Sequence, residues 1–423
     1  MDLLELADRI WSGEQTTVEH HPFSDPTGEL AELLDGVAFV SSFANVSAFD
    51  TTDGLVLVDT GSFMFCGAVH ERIREWTDAP LHTAIYSHGH VDHVFGVSLY
   101  EQESTERAPR VVAHELVPQR FDRYQRTAGY NAHINLRQFQ VDVEWPTDYR
   151  YPDLVYHDEL VLEVGEDRFE LHHARGETDD HTWTWVPTRG VLCCGDLFTW
   201  TLPNAGNPQK AQRYPEEWAQ ALREMAKLDA EIMLPGHGLP VVGARRVRET
   251  LSDTAELLES LVEQTLELMN EGASLEQIVE TVRAPAELTR KPYLRPVYDE
   301  PEFIVRNIWR FYGGWWDLDP AHLKPAPAAQ LAGEIAQICG GAQPLAKHAS
   351  GLADAGELRL ATDLIELAAD AAPDDSSVQK ARAKILELRA ERESSTMAKG
   401  VYATAARDSR ERAEALEPAG RLP

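Results

Sequence analysis

The sequence predicts an α/β layered domain followed by an all-α helical region, and three observations carry that reading. Between residues 37 and 242, short apolar runs of strand length alternate with amphipathic runs of helical length. After about residue 242 the pattern is mostly helical and rich in Ala, Leu and Glu. Between the strand-like residues 81–86 and the helix-like residues 94–100 lies Ser87-His88-Gly89-His90-Val91-Asp92-His93, a loop dense in metal-binding side chains. At 423 residues the chain is long enough for two domains, expected at 1–244 and 245–423.

Taken in order, residues 1–35 are mixed, with a Pro- and Gly-marked loop near 22–28. Residues 37–43, 46–49 and 55–59 read as strands, and Asp53-Gly54 between the last two is a hairpin signal. Residues 68–76 read as a helix, 81–86 as the strand before the His-rich loop, and 111–114 as another strand. Residues 118–150 are rich in Arg, Tyr, Asn and Gln and are expected to form a long polar loop, a lid or substrate loop. Strands follow at 160–164, 169–173, 182–186 and 190–194, then a helix at 215–230 with Trp218, Leu222, Met225 and Leu228 at helical spacing. Ile232-Met233-Leu234 leads into Pro235-Gly236-His237-Gly238. Leu251, Leu258, Leu261, Val262 and Leu268 form an amphipathic stripe. Residues 311–327 read as a connecting segment. Residues 358–371 and 378–392 read as a helix hairpin around Pro373-Asp374-Asp375, a unit that needs neighbours or a second subunit to bury both faces.

Composition excludes several partners. The formal net charge is -31, from 39 basic and 70 acidic residues, a field that repels nucleic acid and anionic lipid. No nucleic-acid or membrane partner is therefore expected. The four cysteines have no disulfide-framework spacing, and adjacent Cys193 and Cys194 lie in an apolar strand-like run, so reduced core thiols are expected. The first residues are acidic where a signal peptide needs bases, and no stretch reaches transmembrane length. A cytoplasmic protein is expected.

Chemistry concentrates in a few loops. His88, His90, Asp92 and His93 offer imidazole nitrogen and carboxylate oxygen, donors that suit zinc or a similar divalent ion. A strand-to-helix loop lets alternate residues turn toward one point. Asp196 follows the apolar run 191–194, and the glycines around His237 allow the backbone to come close to an ion.

His-x-His-x-Asp-His resembles the signature of the metallo-β-lactamase superfamily. The resemblance implies an αββα sandwich, a Gly-Asp carboxylate (Asp196) bridging two metals, and a late-loop His (His237) on the second metal. The superfamily commonly writes Gly-His-Thr about ten residues before the Pro that ends the next strand. Here Arg175-Gly176-Glu177-Thr178-Asp179-Asp180-His181 precedes Pro187, so Glu177 stands at that ligand position. Glu is an accepted zinc ligand; His173 and His181 are the alternatives. A carboxylate here, together with a long helical second half, resembles the alkylsulfatases of this superfamily, whose C-terminal region is a dimerisation domain. Residues 305–327 resemble its start, and Leu358-Arg359-Leu360-Ala361 and Pro373-Asp374 resemble its later helices. Two departures stand out. Asp196 replaces the Glu that characterised sulfatases usually carry as the bridge, and Thr178-Asp179-Asp180-His181 replaces an apolar–acid run.

The resemblance therefore implies two divalent metal ions, zinc first, with Mn or Fe admissible. His88, His90 and Glu177 would hold one; Asp92, His93 and His237 the other; Asp196 both. It implies hydrolysis of an alkyl sulfate ester, a small anionic substrate, by water made acidic between the ions. Catalytic roles are expected for Asp92, beside its ligand role, and for His181 as an acid–base or ligand-supporting group. In the loop after Asp196, Asn204, Asn207, Lys210 and Arg213 are expected to clamp anionic oxygens, with Arg137 and Tyr130 as further candidates. The competing expectations are hydrolysis of a thioester, lactone or phosphoester on the same centre, or a dimeric scaffold with a decayed site. A homodimer through the helical domain is expected.

Overall fold

The computed structural model describes residues 2–104 and 108–417. The chain forms two compact units, residues 1–129 with 145–314, and residues 130–144 with 315–423.

The first unit opens on helix α1 (Leu3–Ser12), where Leu3, Leu6, Ala7 and Ile10 make a buried stripe. Asp2 caps its start by accepting the Leu4 amide. A seven-stranded sheet follows in spatial order β1 (Leu30–Leu34), β2 (Val37–Val40), β3 (Val46–Thr51), β4 (Gly54–Val58), β5 (Leu81–Ile85), β6 (Arg110–His114) and β7 (Leu154–Tyr156). Its first four strands pair antiparallel, with Thr51 opposite Gly54 at the expected hairpin. From β4 to β7 the pairing is parallel. Helices α2 (Cys66–Trp76), α3 (Val97–Glu103) and α4 (Val117–Arg126) lie in the connections between those parallel strands.

A second sheet has the order β13 (Val241–Val242), β12 (Ile232–Pro235), β11 (Val191–Gly195), β10 (His181–Val186), β9 (Asp167–Ala174) and β8 (Glu159–Val164), antiparallel except between β11 and β12. The two sheets pack face to face. Phe39, Phe49, Val56 and Ile85 of the first share one buried cluster with Phe169, Leu171 and Trp183 of the second, and the Phe49 and Phe169 rings meet edge to face at 5.3 Å. Each such fully buried side chain contributes about 1.5–3 kcal/mol. The outer face of the second sheet is covered by α6 (Pro215–Met225) and α7 (Ala244–Asn270), through Trp218, Leu222, Leu251 and Leu258.

The compact units divide elsewhere than at the expected residue 244: α7, α8 (Leu275–Thr281), α9 (Ala286–Thr289) and α10 (Pro301–Gly313) bury Leu251, Ile278, Leu288, Ile304 and Ile308 in the same cluster as the sheets. One expectation is corrected here. The expected long loop at 118–150 holds helices α4 and α5 (Ala128–Phe139), and the irregular stretch after them is residues 140–153. Helix α4 is amphipathic, but Arg120 lies on its buried face beside Val117, Phe121 and Tyr124, which disguises the apolar stripe.

The second unit is all-helical: residues 130–139 of α5, then α11 (Pro320–Leu323), α12 (Ala328–Ile338), α13 (Ala342–Asp354), α14 (Leu358–Ala371), α15 (Ser376–Arg392) and α16 (Thr396–Leu416). Its core is built largely of small side chains around Leu345, Ile365, Val378 and Ile385. The expected hairpin is α14 and α15, with Asp375 capping α15, and it packs against α12, α13 and α16. Gly400 lets α16 approach α5 closely: a Cβ there would lie 2.3 Å from the Gln138 carbonyl oxygen. All four cysteines are free thiols. Among the described residues no helix is long and apolar enough to cross a membrane.

Candidate metal centre

The chemistry-bearing loops all leave strand ends in the first unit. Ser87–His93 follows β5, Asp196 follows β11, His237 follows β12, and Glu177 sits in the turn between β9 and β10. One ligand atom each from His88, His90, Glu177 and Asp196 lies within 4.8 Å of the others, and the same holds for Asp92, His93 and His237. Glu177 Oε2 is 3.5 Å from His88 Nε2 and 3.4 Å from His90 Nδ1. Asp92 Oδ2 is 3.6 Å from His93 Nε2 and 3.4 Å from His237 Nε2. Asp196 faces both groups: Oδ2 lies 3.7 Å from His88 Nε2 and 3.4 Å from His237 Nε2, and Oδ1 lies 3.6 Å from His93 Nε2.

Three of the four imidazoles are turned by a bond on the far nitrogen, and His90 Nδ1 faces His88 Nε2 at 2.8 Å. His93 Nδ1 pairs with Asp59 Oδ2 at 2.7 Å, His88 Nδ1 with Ser87 Oγ at 2.9 Å, and His237 Nδ1 with the Phe43 carbonyl. Such partners fix ring orientation and leave the other nitrogen for a metal. Asp59 also accepts the Ser87 amide at 2.7 Å and holds a left-handed backbone (φ 62°), strain that is stored where the loops meet. Asn45 donates to the Pro235 and Gly238 carbonyls, both at 3.1 Å, and so brackets His237. Gly236 is required by space: a Cβ there would lie 2.1 Å from Asp196 Oδ1.

The residues fit a bound cation by a further criterion. Glu177 Oε2, His93 Nε2 and Asp196 Oδ1 are buried and have no hydrogen-bond partner among the described residues. Buried polar atoms rarely go unpaired, because the desolvation cost is not recovered. Each lies 3.4–3.6 Å from another donor atom of the two groups, a cluster that a divalent ion would satisfy.

The electrostatics agree. Burial pushes His88 well below its ordinary range, and neighbouring His93 and His90 add to that. Burial acts the same way on His93 and His237, but carboxylates outweigh it. Asp196, Asp59 and Asp92 hold His93 well above its ordinary value, and Asp196 and Asp92 lift His237 to about 9. Burial raises Asp92 and Asp196, yet His93 and His237 keep both well below the usual carboxylate range. The site therefore draws positive charge to one point.

Two expected roles look different in place. His181 is buried, burial drops it to about 4, and its Nε2 accepts the Asp196 amide at 3.1 Å. That bond commits Nε2 to the Asp196 backbone and so helps to position the Asp196 residue. Asn204 Nδ2 donates to Glu177 Oε1, and Arg213 Nη2 lies 3.4 Å from the same oxygen. Both are buried and hold Glu177 rather than standing free for an anion, because their loop folds back onto the 175–180 turn. Arg213 keeps one buried unpartnered donor, Nε. Asn207 Oδ1 accepts the Gln209 amide and shapes the loop. Lys210 is half-buried beside Trp145, 5.7 Å from its ring centre; burial and Arg213 depress it to about 8, against the pull of Asp92 and Glu177. Buried Asp299 anchors the same loop by accepting the Gly206 amide at 2.6 Å. Arg137 and Tyr130 belong to the second compact unit.

Sequence reasoning missed Asp59, Asn45, Arg120 and Asp299. Asp59 ends a strand before Thr60-Gly61, the one place where a sequence pattern hinted at it; the others carry no spacing that singles them out.

Residues 41–237 match the family model described as metallo-beta-lactamase superfamily, and residues 274–412 the one described as alkyl sulfatase dimerisation. A linear primary-alkylsulfatase of Pseudomonas sp. is 26% identical over 359 residues, covering 79% of this chain and 68% of that protein. An (R)-specific secondary-alkylsulfatase of Pseudomonas sp. is 25% identical over 405 residues, covering 87% of this chain and 60% of that protein. The solved structure of the stereoselective inverting sec-alkylsulfatase Pisa1 from Pseudomonas sp. superposes with a TM-score of 0.82 at 23% identity, over 92% of this chain and 66% of that one. The chain thus spans 60–68% of the length of these relatives. The structural likeness establishes the fold: a metallo-β-lactamase sandwich followed by an all-α domain.

Proposed function

The chain belongs to the metallo-β-lactamase superfamily and carries an alkylsulfatase-type dimerisation domain, and from that premise we propose that it is a metal-dependent hydrolase of alkyl sulfate esters. The observation that carries the reading is the pair of donor groups, His88–His90–Glu177 and Asp92–His93–His237, with Asp196 facing both. The nitrogen and oxygen donors suit zinc first, with Mn or Fe admissible because three of the donors are carboxylates. When bound, a pair of divalent cations there supplies water acidified to about pKa 7 as nucleophile and polarises the ester.

The chain's own residues do the rest. Asn204 and Arg213 occupy Glu177 Oε1 and so turn Oε2 toward His88 and His90. Asp59 orients His93, and His181 orients Asp196 through its amide. Three carboxylates against two dications would leave about +1, which an ionised water nucleophile would cancel, so an anionic ester calls for further cations. Lys210, protonated below about 8, adds a cation for the sulfate oxygens, and the unpartnered Arg213 Nε adds a donor. The named relatives act on primary and secondary alkyl sulfates, and that substrate class is the one proposed here. The dimerisation-type region supports a homodimer.

The test is sulfate release from primary and secondary alkyl sulfates of varied chain length by purified protein, beside phosphoester, thioester and lactone controls. Sulfate release that stops on chelation and returns with zinc is expected. Turnover of a control ester with no sulfate release moves the reading to that ester. A protein that purifies without metal and takes none up removes the enzyme reading altogether.

A further inference from the structure

We propose that Arg120 is a positioning residue for the His88–His90–Glu177 end of the site. It would lock the Gly89 turn between the two histidines to the turn that carries Glu177. Arg120 sits on α4, only 4% exposed. Its Nε donates to Asp180 Oδ2 at 2.6 Å, and its Nη2 donates to Asp179 Oδ1. Asp180 is fully buried, and the same Oδ2 accepts the Gly89 amide at 3.1 Å. One guanidinium thereby holds two adjacent carboxylates, one of which grips the backbone between His88 and His90. The approach is close: a Cβ on Gly89 would lie 2.9 Å from Arg120 Cδ and 3.0 Å from Asp180 Oδ2. From the other side His173 Nε2 pairs with the Asp179 carbonyl at 2.9 Å, with the His114 ring stacked on it at 3.7 Å. The turn from Glu177 to Asp180 is clamped between them.

The geometry needs arginine. A planar fork reaches two carboxylates at once, whereas a lysine ammonium is a single point on a flexible stem. Without the guanidinium, Asp179 and Asp180 repel each other and Glu177, and the turn is driven away from His88 and His90. The Asp92–His93–His237 group shares none of these bonds among those described, so the effect is confined to one group.

The inference rests on the reading that these groups hold cations. Its test is a stepwise titration of chelator-stripped protein with Zn²⁺ and with Co²⁺, the latter followed by its visible absorption. Wild type is compared with Arg120→Lys and with Arg120→Met/Asp180→Asn, which keeps the buried charge balanced. Thermal unfolding of each stripped variant checks the fold. The expected result is one cation bound as in wild type and the other weakened by about 10- to 100-fold, the range seen when groups supporting metal ligands are lost. Folded variants that bind both cations with wild-type affinity overturn the proposal and leave the metal reading intact. Wild type that binds no cation overturns both. Loss of cooperative unfolding in both variants makes Arg120 a residue of the fold and also overturns it.

Discussion

Replacing Glu177 separates its two oxygens, which the structure assigns to different work. Oε1 faces Arg213 Nη2 at 3.4 Å and accepts from Asn204, while Oε2 faces His88 and His90. The Glu177 and Arg213 side chains are 4% and 3% exposed, so their pairing is little screened. At that separation and an effective dielectric of about 20, the attraction is about 5 kcal/mol before desolvation. Removing one partner of a buried pair costs about 3–5 kcal/mol, because the other charge is left uncompensated. Glu177→Ala is therefore expected to lower the stability of chelator-stripped protein by about 3–5 kcal/mol. Glu177→Gln keeps an oxygen for Asn204 and loses the charge, at a cost of about 1–3 kcal/mol. Both remove the anionic donor, so zinc affinity at the His88–His90 group should fall by more than the roughly 10- to 100-fold typical of lost supporting groups. Urea unfolding of stripped protein reads the first effect and chelator-competition titration the second. A Glu177→Gln protein with wild-type zinc affinity refutes the reasoning and returns the ligand position to His173 or His181.

Gly236→Ala puts a methyl 2.1 Å from Asp196 Oδ1 and should displace that carboxylate, lowering metal content while the sheets stay folded by circular dichroism. Lys210 titrates near 8, depressed by burial and by Arg213, so it is charged below that pH and neutral above it. The KM for an alkyl sulfate should rise above pH 8, with kcat less affected, and Lys210→Arg should move the rise to higher pH. An unchanged KM profile in that variant assigns the sulfate contact elsewhere. Zinc at about 100 times its dissociation constant should stabilise the stripped protein by about 2.7 kcal/mol, read as a rise in Tm. No rise would mean that the donor atoms do not take up the ion.

The parts of the site legible in the sequence are those with fixed local spacing. His88, His90, Asp92 and His93 fall on one turn, and Gly236-His237-Gly238 follows an apolar strand, so pattern and geometry coincide. Glu177 was legible only by its distance from Pro187. Asp59, Asn45 and Arg120 act across the fold, on residues 28 to 193 positions away, and nothing local marks them. Helix α4 escaped because its buried face includes a charged side chain, and α5 because Asn131 and Gln138 are buried beside Ile134. Helical texture begins at α7, while burial keeps α7 to α10 with the sheets as far as Gly314. Periodicity reports which face is apolar; it does not report what covers that face.

Because Asp196 faces both donor groups, it would help to hold a cation at each. Metal analysis after dialysis against zinc tests it most directly, on wild type and on Asp196→Ala. About two equivalents per chain are expected for wild type, and weakened retention of both together for Asp196→Ala with the fold intact. One equivalent or none in wild type, or two undiminished in Asp196→Ala, contradicts it.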